Sequence, residues 1–143
     1  MTDYATAAQV ETEFKGVTFS SSTQPTSTEL STMITEASAE IDARLAVKYT
    51  TPITGTNALV VVRSICVQLL KGRVNEIRGI KTGGDDDKDY TDPSKLARDM
   101  LDKLASGKMK LTDATLAATA DGVKSYTYTN SIEPNFDVEE SQW

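Results

Sequence analysis

The residues with the greatest capacity for chemistry are four aspartates in one short run, at positions 85, 86, 87 and 89. Carboxylate oxygens are the ligands that Ca²⁺ and Mg²⁺ prefer. The run lacks the placement of glycine and glutamate that a calcium-binding loop requires, so it predicts a solvated loop rather than a metal site. We predict no metal site and no cofactor.

Other candidates for catalysis are equally weak. The chain has no histidine, which excludes an imidazole base, a Ser-His-Asp triad and a histidine-ligated metal. Glu36 and Glu40 can lie side by side on a helix, but without such a partner they are typical of a solvated helix face. Gly83 and Gly84 are not followed by the Lys-Ser or Lys-Thr of a phosphate-binding loop. We predict that the protein is not an enzyme.

Composition narrows the class of protein further. The 143 residues carry a net charge of −6 and a sequence pI near 4.6, which disfavours a protein that binds nucleic acid through its phosphates. The single cysteine, Cys66, lies in an apolar run and is predicted to be a buried thiol. No secretion signal and no apolar run of ~18 residues is present, so we expect synthesis in the cytosol and no membrane contact.

Two helices are predicted in the first third of the chain. Capping-box spacing predicts a short helix over about residues 6–15. A second capping box at Thr26 and Glu29 opens a longer helix, which is predicted to end at Lys48 or Tyr49. The apolar stripe of this helix is Leu30, Ile34, Ala37, Ile41 and Leu45.

Two further helices follow. Thr56 or Asn57 is predicted to cap a third, largely apolar helix that Gly79 ends. Asp92 followed by Pro93 starts a fourth helix, because Asp caps well and Pro is tolerated at the first helical position. Its predicted buried stripe is Leu96, Met100, Leu101 and Leu104. These patterns predict an all-α fold, a small four-helix bundle.

The chain changes character after residue 111. We predict a helical domain over residues 1–111 and an extended arm over residues 112–143, which holds six acids and one base. Residues 124–130 alternate in a way that could add a strand to a partner. The arm is either a disordered tail or a segment ordered by a partner, and its candidate contact residues are Tyr126, Tyr128, Ile132, Phe136 and Trp143.

Three segments of the sequence resemble the small head-tail connector (adaptor) proteins of tailed bacteriophages. They are Tyr-Ala-Thr at residues 4–6, the helix end at residues 41–49, and the Gly-Lys-x-x-Leu exit at residues 107–111. The resemblance covers roughly residues 3–111. Lys48 stands where the family usually has arginine, which keeps the charge and loses the planar fork.

The resemblance implies a virion protein of the phage neck, assembled in the host cytoplasm. Its expected partners are further copies of itself in a closed ring, usually a dodecamer, the portal above and a stopper or tail-completion protein below. The ring would extend the channel through which genomic DNA passes without specific binding. We expect the arm to contact the portal, and Arg44, Lys48 and Tyr49 to contact a neighbouring subunit.

Two alternatives remain open at the level of sequence. One is another ring protein of the neck or tail, such as a stopper or tail terminator, which we expect to contain more strands. The other is a small metal-dependent helical enzyme or regulator that uses the acidic loop at residues 85–89.

Overall fold

The computed structural model describes residues 2–80 and 92–117, which form four helices. In chain order these are α1 (Ala7–Glu11), α2 (Ser27–Leu45), α3 (Thr56–Ile77) and α4 (Pro93–Ala105). Within the described residues the only pairing of extended backbone is an isolated antiparallel bridge between Tyr49 and Leu116. The predicted all-α four-helix fold is confirmed.

The helix starts follow the sequence more closely than the helix ends do. Both capping boxes form, at Thr6 for α1 and at Thr26 for α2. However, α1 ends at Glu11 and α2 at Leu45, so both are shorter than predicted. Residues 46–48 are turns, because the chain must leave the helix axis here to bring Tyr49 into the core, where it is 2% exposed.

Helix α3 is the central element of the bundle and packs against α1, α2 and α4. Cys66 is fully buried on it, as predicted, and burial raises the pKa of its thiol to about 11. Burial of apolar side chains is the main source of stability here. The largest fully buried side chains of α2, α3 and α4 are Leu30, Ile41, Leu45, Val62, Ile65, Leu69, Leu70, Leu101 and Leu104.

The predicted buried stripe of α4 is confirmed at Leu101 and Leu104 and wrong at its other two positions. Leu96 is 49% exposed, and Met100 is only partly buried. Small residues instead allow close packing on α3: a Cβ added to Gly72 would lie 1.7 Å from the Ser94 hydroxyl oxygen. The buried line of α4 therefore runs through Ser94 and three apolar residues, Ala97, Leu101 and Leu104. In the described part of the chain, no helix is long and apolar enough to cross a membrane.

Candidate functional site

The first polar contact that fixes the end of α2 comes from the N-terminal segment. The Tyr4 hydroxyl donates to the Asp42 carboxylate and accepts the Ile53 N–H at 2.8 Å. The Tyr4 backbone N–H donates to the Ser38 hydroxyl at 3.0 Å. Burial, together with the hydrogen bond to Asp42, raises the pKa of the Tyr4 hydroxyl. Tyr4 thus ties the N-terminus, α2 and the turn after α2 together at one atom.

A second tyrosine fixes the other side of the same helix end. The Tyr49 N–H donates to the Leu45 carbonyl at 2.8 Å, and its side-chain hydroxyl accepts the Leu111 N–H at 3.2 Å. The strand-like segment at residues 115–117 pairs beside it, through the bond from the Ala117 N–H to the Lys48 carbonyl at 2.9 Å. We call the region where the N-terminus, residues 46–55 and residues 107–117 meet the junction.

The junction joins the three segments on which the resemblance to phage adaptors rests. Tyr4 of the first segment bonds Asp42 of the second, and Tyr49 of the second bonds Leu111 of the third. Lys48 and Gly107 also meet, because a Cβ added to Gly107 would lie 2.3 Å from the Lys48 ammonium nitrogen. These motif residues are therefore one another's contacts in the folded protomer.

Asp113 caps α3 from outside the helix. Its carboxylate accepts the N–H groups of Asn57 and Ala58, each at 2.7 Å. The hydrogen bond from Asn57 is the main cause that lowers the pKa of Asp113. The predicted cap at Thr56 or Asn57 is wrong: Gly55 is the N-cap residue and has no side chain to offer. The carboxylate that replaces a local cap lies more than fifty residues along the chain.

A cluster of arginines surrounds Glu40 on the other side of α2. Its carboxylate forms ion pairs with Arg98 at 3.0 Å, Arg73 at 3.2 Å and Arg44 at 3.3 Å. Partial burial acts to raise the pKa of Glu40, but the hydrogen bond from Arg98 and the three arginine charges outweigh it and lower the pKa. Arg73 also reaches Glu36. We call this set the Glu40 cluster; it links α2, α3 and α4.

A cleft of about 570 Å³ opens between α3 and α4 beside the Glu40 cluster. Its charged residues carry both signs, and Arg73 and Arg98 already donate to Glu40. Asp92 already serves as the cap of α4. The cleft is therefore not selective for one charge. It is lined by Gly72, Arg73, Glu76, Gly79, Ile80, Asp92, Ser94 and Arg98.

Two neighbouring segments of the junction, residues 46–55 and 107–117, carry both positive charge and exposed apolar side chains. Lys108 and Lys110 are exposed, Lys48 is half-buried, and none of the three forms an ion pair with a described residue. Val47 is 71% exposed, Leu116 42% and Met109 36%. We call these six residues the basic edge.

The charge of the chain is unevenly divided. Residues 2–80 and 92–117 contain 12 acids and 12 bases, so the described part is neutral. Residues 81–91 hold four acids and two bases, and residues 118–143 hold five acids and one base. The net charge of −6 therefore lies entirely in these two segments.

The residues predicted to contact neighbouring subunits all lie at or near the junction. Arg44 donates to Asp102 at 2.8 Å and forms an ion pair with Glu40 at 3.3 Å. Lys48 lies against the C-terminal end of α4, where a cation is favourable. Tyr49 is buried within its own protomer. Their role between subunits stays a prediction.

The other predicted sites fall outside the described residues. These are the acidic loop at 85–89 and the arm residues Tyr126, Tyr128, Ile132, Phe136 and Trp143. The first part of the arm, residues 112–117, is described and lies against the bundle through Asp113 and the bridge at Leu116. Among the described residues, no three acidic or cysteine side chains are grouped so that they could hold a metal ion.

Comparison with known protein families gives a match over most of the chain. A family model described as Bacteriophage Mu, Gp36 matches residues 4–127, so the chain is similar to that family over most of its length. The matched range includes all four helices and the junction. Neither the curated proteins nor the solved structures gave a match.

Proposed function

We propose that this chain, which belongs to the bacteriophage Mu Gp36 family, is a structural protein of the virion that acts as a head-tail adaptor. In this role it forms a closed ring below the portal, extends the DNA channel and offers a docking surface to a stopper or tail-completion protein. The observation that carries the proposal is the family match over residues 4–127, which makes the chain a phage protein.

The architecture supports an adaptor over a stopper or tail terminator. We expect those proteins to contain more strands, whereas the described residues form four helices and one isolated bridge. The polar side chains of the junction and the Glu40 cluster bind one another, as expected of groups that hold a fold together. On these grounds we propose a mechanical role without catalysis.

Exposed apolar side chains on the protomer are available for contacts between subunits. Val60 on α3 is 59% exposed, and Leu96 on α4 and Ile77 at the end of α3 are each 49% exposed. A single such residue on a surface is ordinary. A ring built from heterologous contacts would cover them in every subunit at once, because each copy offers two different faces.

The charge distribution suits a channel through which DNA slides. The described bundle is neutral, and the rest of the chain is acidic. A surface without excess positive charge does not hold phosphates, so DNA would pass without specific binding. We place the protein in the virion neck on this proposal.

The proposal is tested by mixing the purified full-length chain with portal rings of the same phage. Native mass spectrometry and negative-stain images should show a closed ring stacked on the portal. Samples without portal, and samples with the portal of an unrelated phage, are the controls. Monomers alone in the presence of the matching portal would contradict the proposal. A free monomer without portal would not, because such a ring can require the portal as a template.

A further inference from the structure

Among the described residues, the basic edge combines unpaired positive charge with exposed apolar side chains. Lys48, Lys108 and Lys110 carry three positive charges with no described acid in ion-pair range. Val47 and Met109 lie beside them in sequence and are exposed. A surface that mixes lysines with apolar side chains fits an acidic peptide with apolar anchors, because each component then meets its complement.

The last thirteen residues of the chain have this complementary chemistry. Residues 131–143 read Ser-Ile-Glu-Pro-Asn-Phe-Asp-Val-Glu-Glu-Ser-Gln-Trp, with four acids and no base. Phe136 and Trp143 are aromatic residues of the kind that dominate binding energy at interfaces. The other segment outside the described part with four acids, residues 81–91, also holds two bases.

The point at which the described chain ends favours this match. The Ala117 N–H donates to the Lys48 carbonyl, so the described chain ends beside the basic edge. Residues 118–130 then provide a connection of thirteen residues, which spans at most ~43 Å when extended. A domain of this size is ~33 Å across, from its expected radius of gyration. The connection is therefore long enough to reach the same edge on an adjacent copy.

We propose that residues 131–143 of one copy dock on the basic edge of the neighbouring copy in the ring. The proposal rests on the proposed ring and names one of its subunit contacts. Each copy gives one tail and receives one, which is the heterologous pattern that closes a ring. Tyr126 and Tyr128 remain for the predicted portal contact, while Phe136 and Trp143 pack against the neighbour.

A peptide assay tests the docking without any need for a ring. The probe is a fluorescein-labelled peptide of residues 131–143, and the receptor is the full-length chain carrying Glu139→Lys and Glu140→Lys, so that its own tail does not compete. We expect saturable binding, measured by polarisation, that weakens at high salt. Adding Lys108→Glu and Lys110→Glu to the receptor should weaken it about tenfold. A matched pair of exposed lysines elsewhere, changed as Lys15→Glu and Lys95→Glu, should leave it unchanged.

Mixing two full-length variants separates docking on a neighbour from docking within one chain. Trp143 is the only tryptophan, so its emission reports the tail alone. The variant Lys108→Glu/Lys110→Glu and the variant Glu139→Lys/Glu140→Lys should each show red-shifted, solvent-exposed emission. In an equal mixture the acidic tail of the first variant meets the native basic edge of the second, so about half of the tails should dock and the emission should shift back toward the blue-shifted value of the native chain.

Two outcomes would overturn the inference. If the peptide does not bind, or binds the reversed and control variants equally, the basic edge is not its site. If the mixture stays red-shifted while the native chain is blue-shifted, the tail docks within its own chain. Neither assay contains portal, so a chain that fails both but still assembles on the portal would overturn only this contact. A chain that passes both but never forms a ring on the portal would overturn only the proposed function.

Discussion

The junction and the Glu40 cluster both tie distant parts of the chain to α2, but they do so in different surroundings. Tyr4 and Tyr49 are 4% and 2% exposed. In the Glu40 cluster, the side chains of Glu40 and Arg98 are 21% and 43% exposed. Removing the partner of a buried polar group lowers the free energy of unfolding substantially, whereas an exposed ion pair contributes little to it. We infer that Tyr4 and Tyr49 contribute much of the stability of the fold, and that the arginines around Glu40 contribute less and mainly orient the helices.

The two regions also differ in what they connect. The junction joins segments that belong to no helix, namely the N-terminus, the turn at residues 46–55 and the exit at residues 107–117. The Glu40 cluster joins α2, α3 and α4, which already pack through their apolar faces. Losing the cluster leaves that packing in place, while losing a tyrosine hydroxyl removes a hydrogen bond that fixes a segment outside the helices.

The largest effect is expected from Tyr4→Phe. The change removes the hydroxyl that donates a hydrogen bond to Asp42, and it leaves the buried Ile53 N–H without its acceptor. The free energy of unfolding should fall by about 2–3 kcal/mol, because one lost bond is to a charged group. Urea denaturation of the full-length chain measures this. The control is Asp42→Asn, which keeps an acceptor oxygen for Tyr4 and should cost less. A Tyr4→Phe variant as stable as the native chain would refute the claim that the tyrosines contribute much of the stability of the fold.

A smaller effect is expected from Tyr49→Phe. Only one neutral hydrogen bond is lost, the one from the Leu111 N–H at 3.2 Å, while the ring stays in the core. The expected loss of stability is about 1 kcal/mol. Amide exchange should show the reason, since the Leu111 N–H should exchange faster in the variant than in the native chain. A cost equal to that of Tyr4→Phe would mean that the charged partner of Tyr4 adds nothing.

Local features of the fold could be predicted from sequence because their signals are local. The capping boxes at Thr6 and Thr26 and the Asp92-Pro93 start each act within a few residues, and all three form. The prediction that Leu96 is buried was wrong, because α4 instead places Ser94 against Gly72 of α3. That approach depends on two residues from different helices and leaves no periodic signal in either.

The contacts of the junction could not be predicted for the same physical reason. Asp113 caps a helix whose first residues lie more than fifty positions earlier, and Tyr4 reaches Asp42 across thirty-eight positions. Residue type and spacing indicate that a tyrosine or an aspartate is present, but not which distant group it meets. The resemblance to a family marked these segments together, and the structure supplies the reason: they bind one another.

Substitutions in the Glu40 cluster test whether it contributes less to stability than the tyrosines of the junction do. Glu40→Gln removes the charge that three arginines share, and we expect a loss of stability of about 1 kcal/mol or less, because the arginine side chains are partly exposed to solvent. Glu36→Gln, which affects one pair, should be close to neutral. Urea denaturation at low and high salt measures both, and salt should shrink the Glu40 effect. A cost as large as that of Tyr4→Phe would erase the difference between the two regions.

The smallest expected effect is the contribution of Glu40 to the loss of stability at acid pH. The folded pKa of Glu40 is lowered, since burial is outweighed by the three arginines. Its contribution to stability is therefore fully present above the unfolded glutamate value of ~4.3 and is lost as the pH falls through the lower folded value. The melting temperature of the native chain should drop below about pH 4.3, and that of Glu40→Gln should drop less steeply. Asp113 and Glu29 also have lowered pKa values and remain in both proteins, so they cancel in the difference. Parallel curves for the two proteins would mean that the arginines do not favour the charged form of Glu40, and that the cluster contributes nothing even at neutral pH.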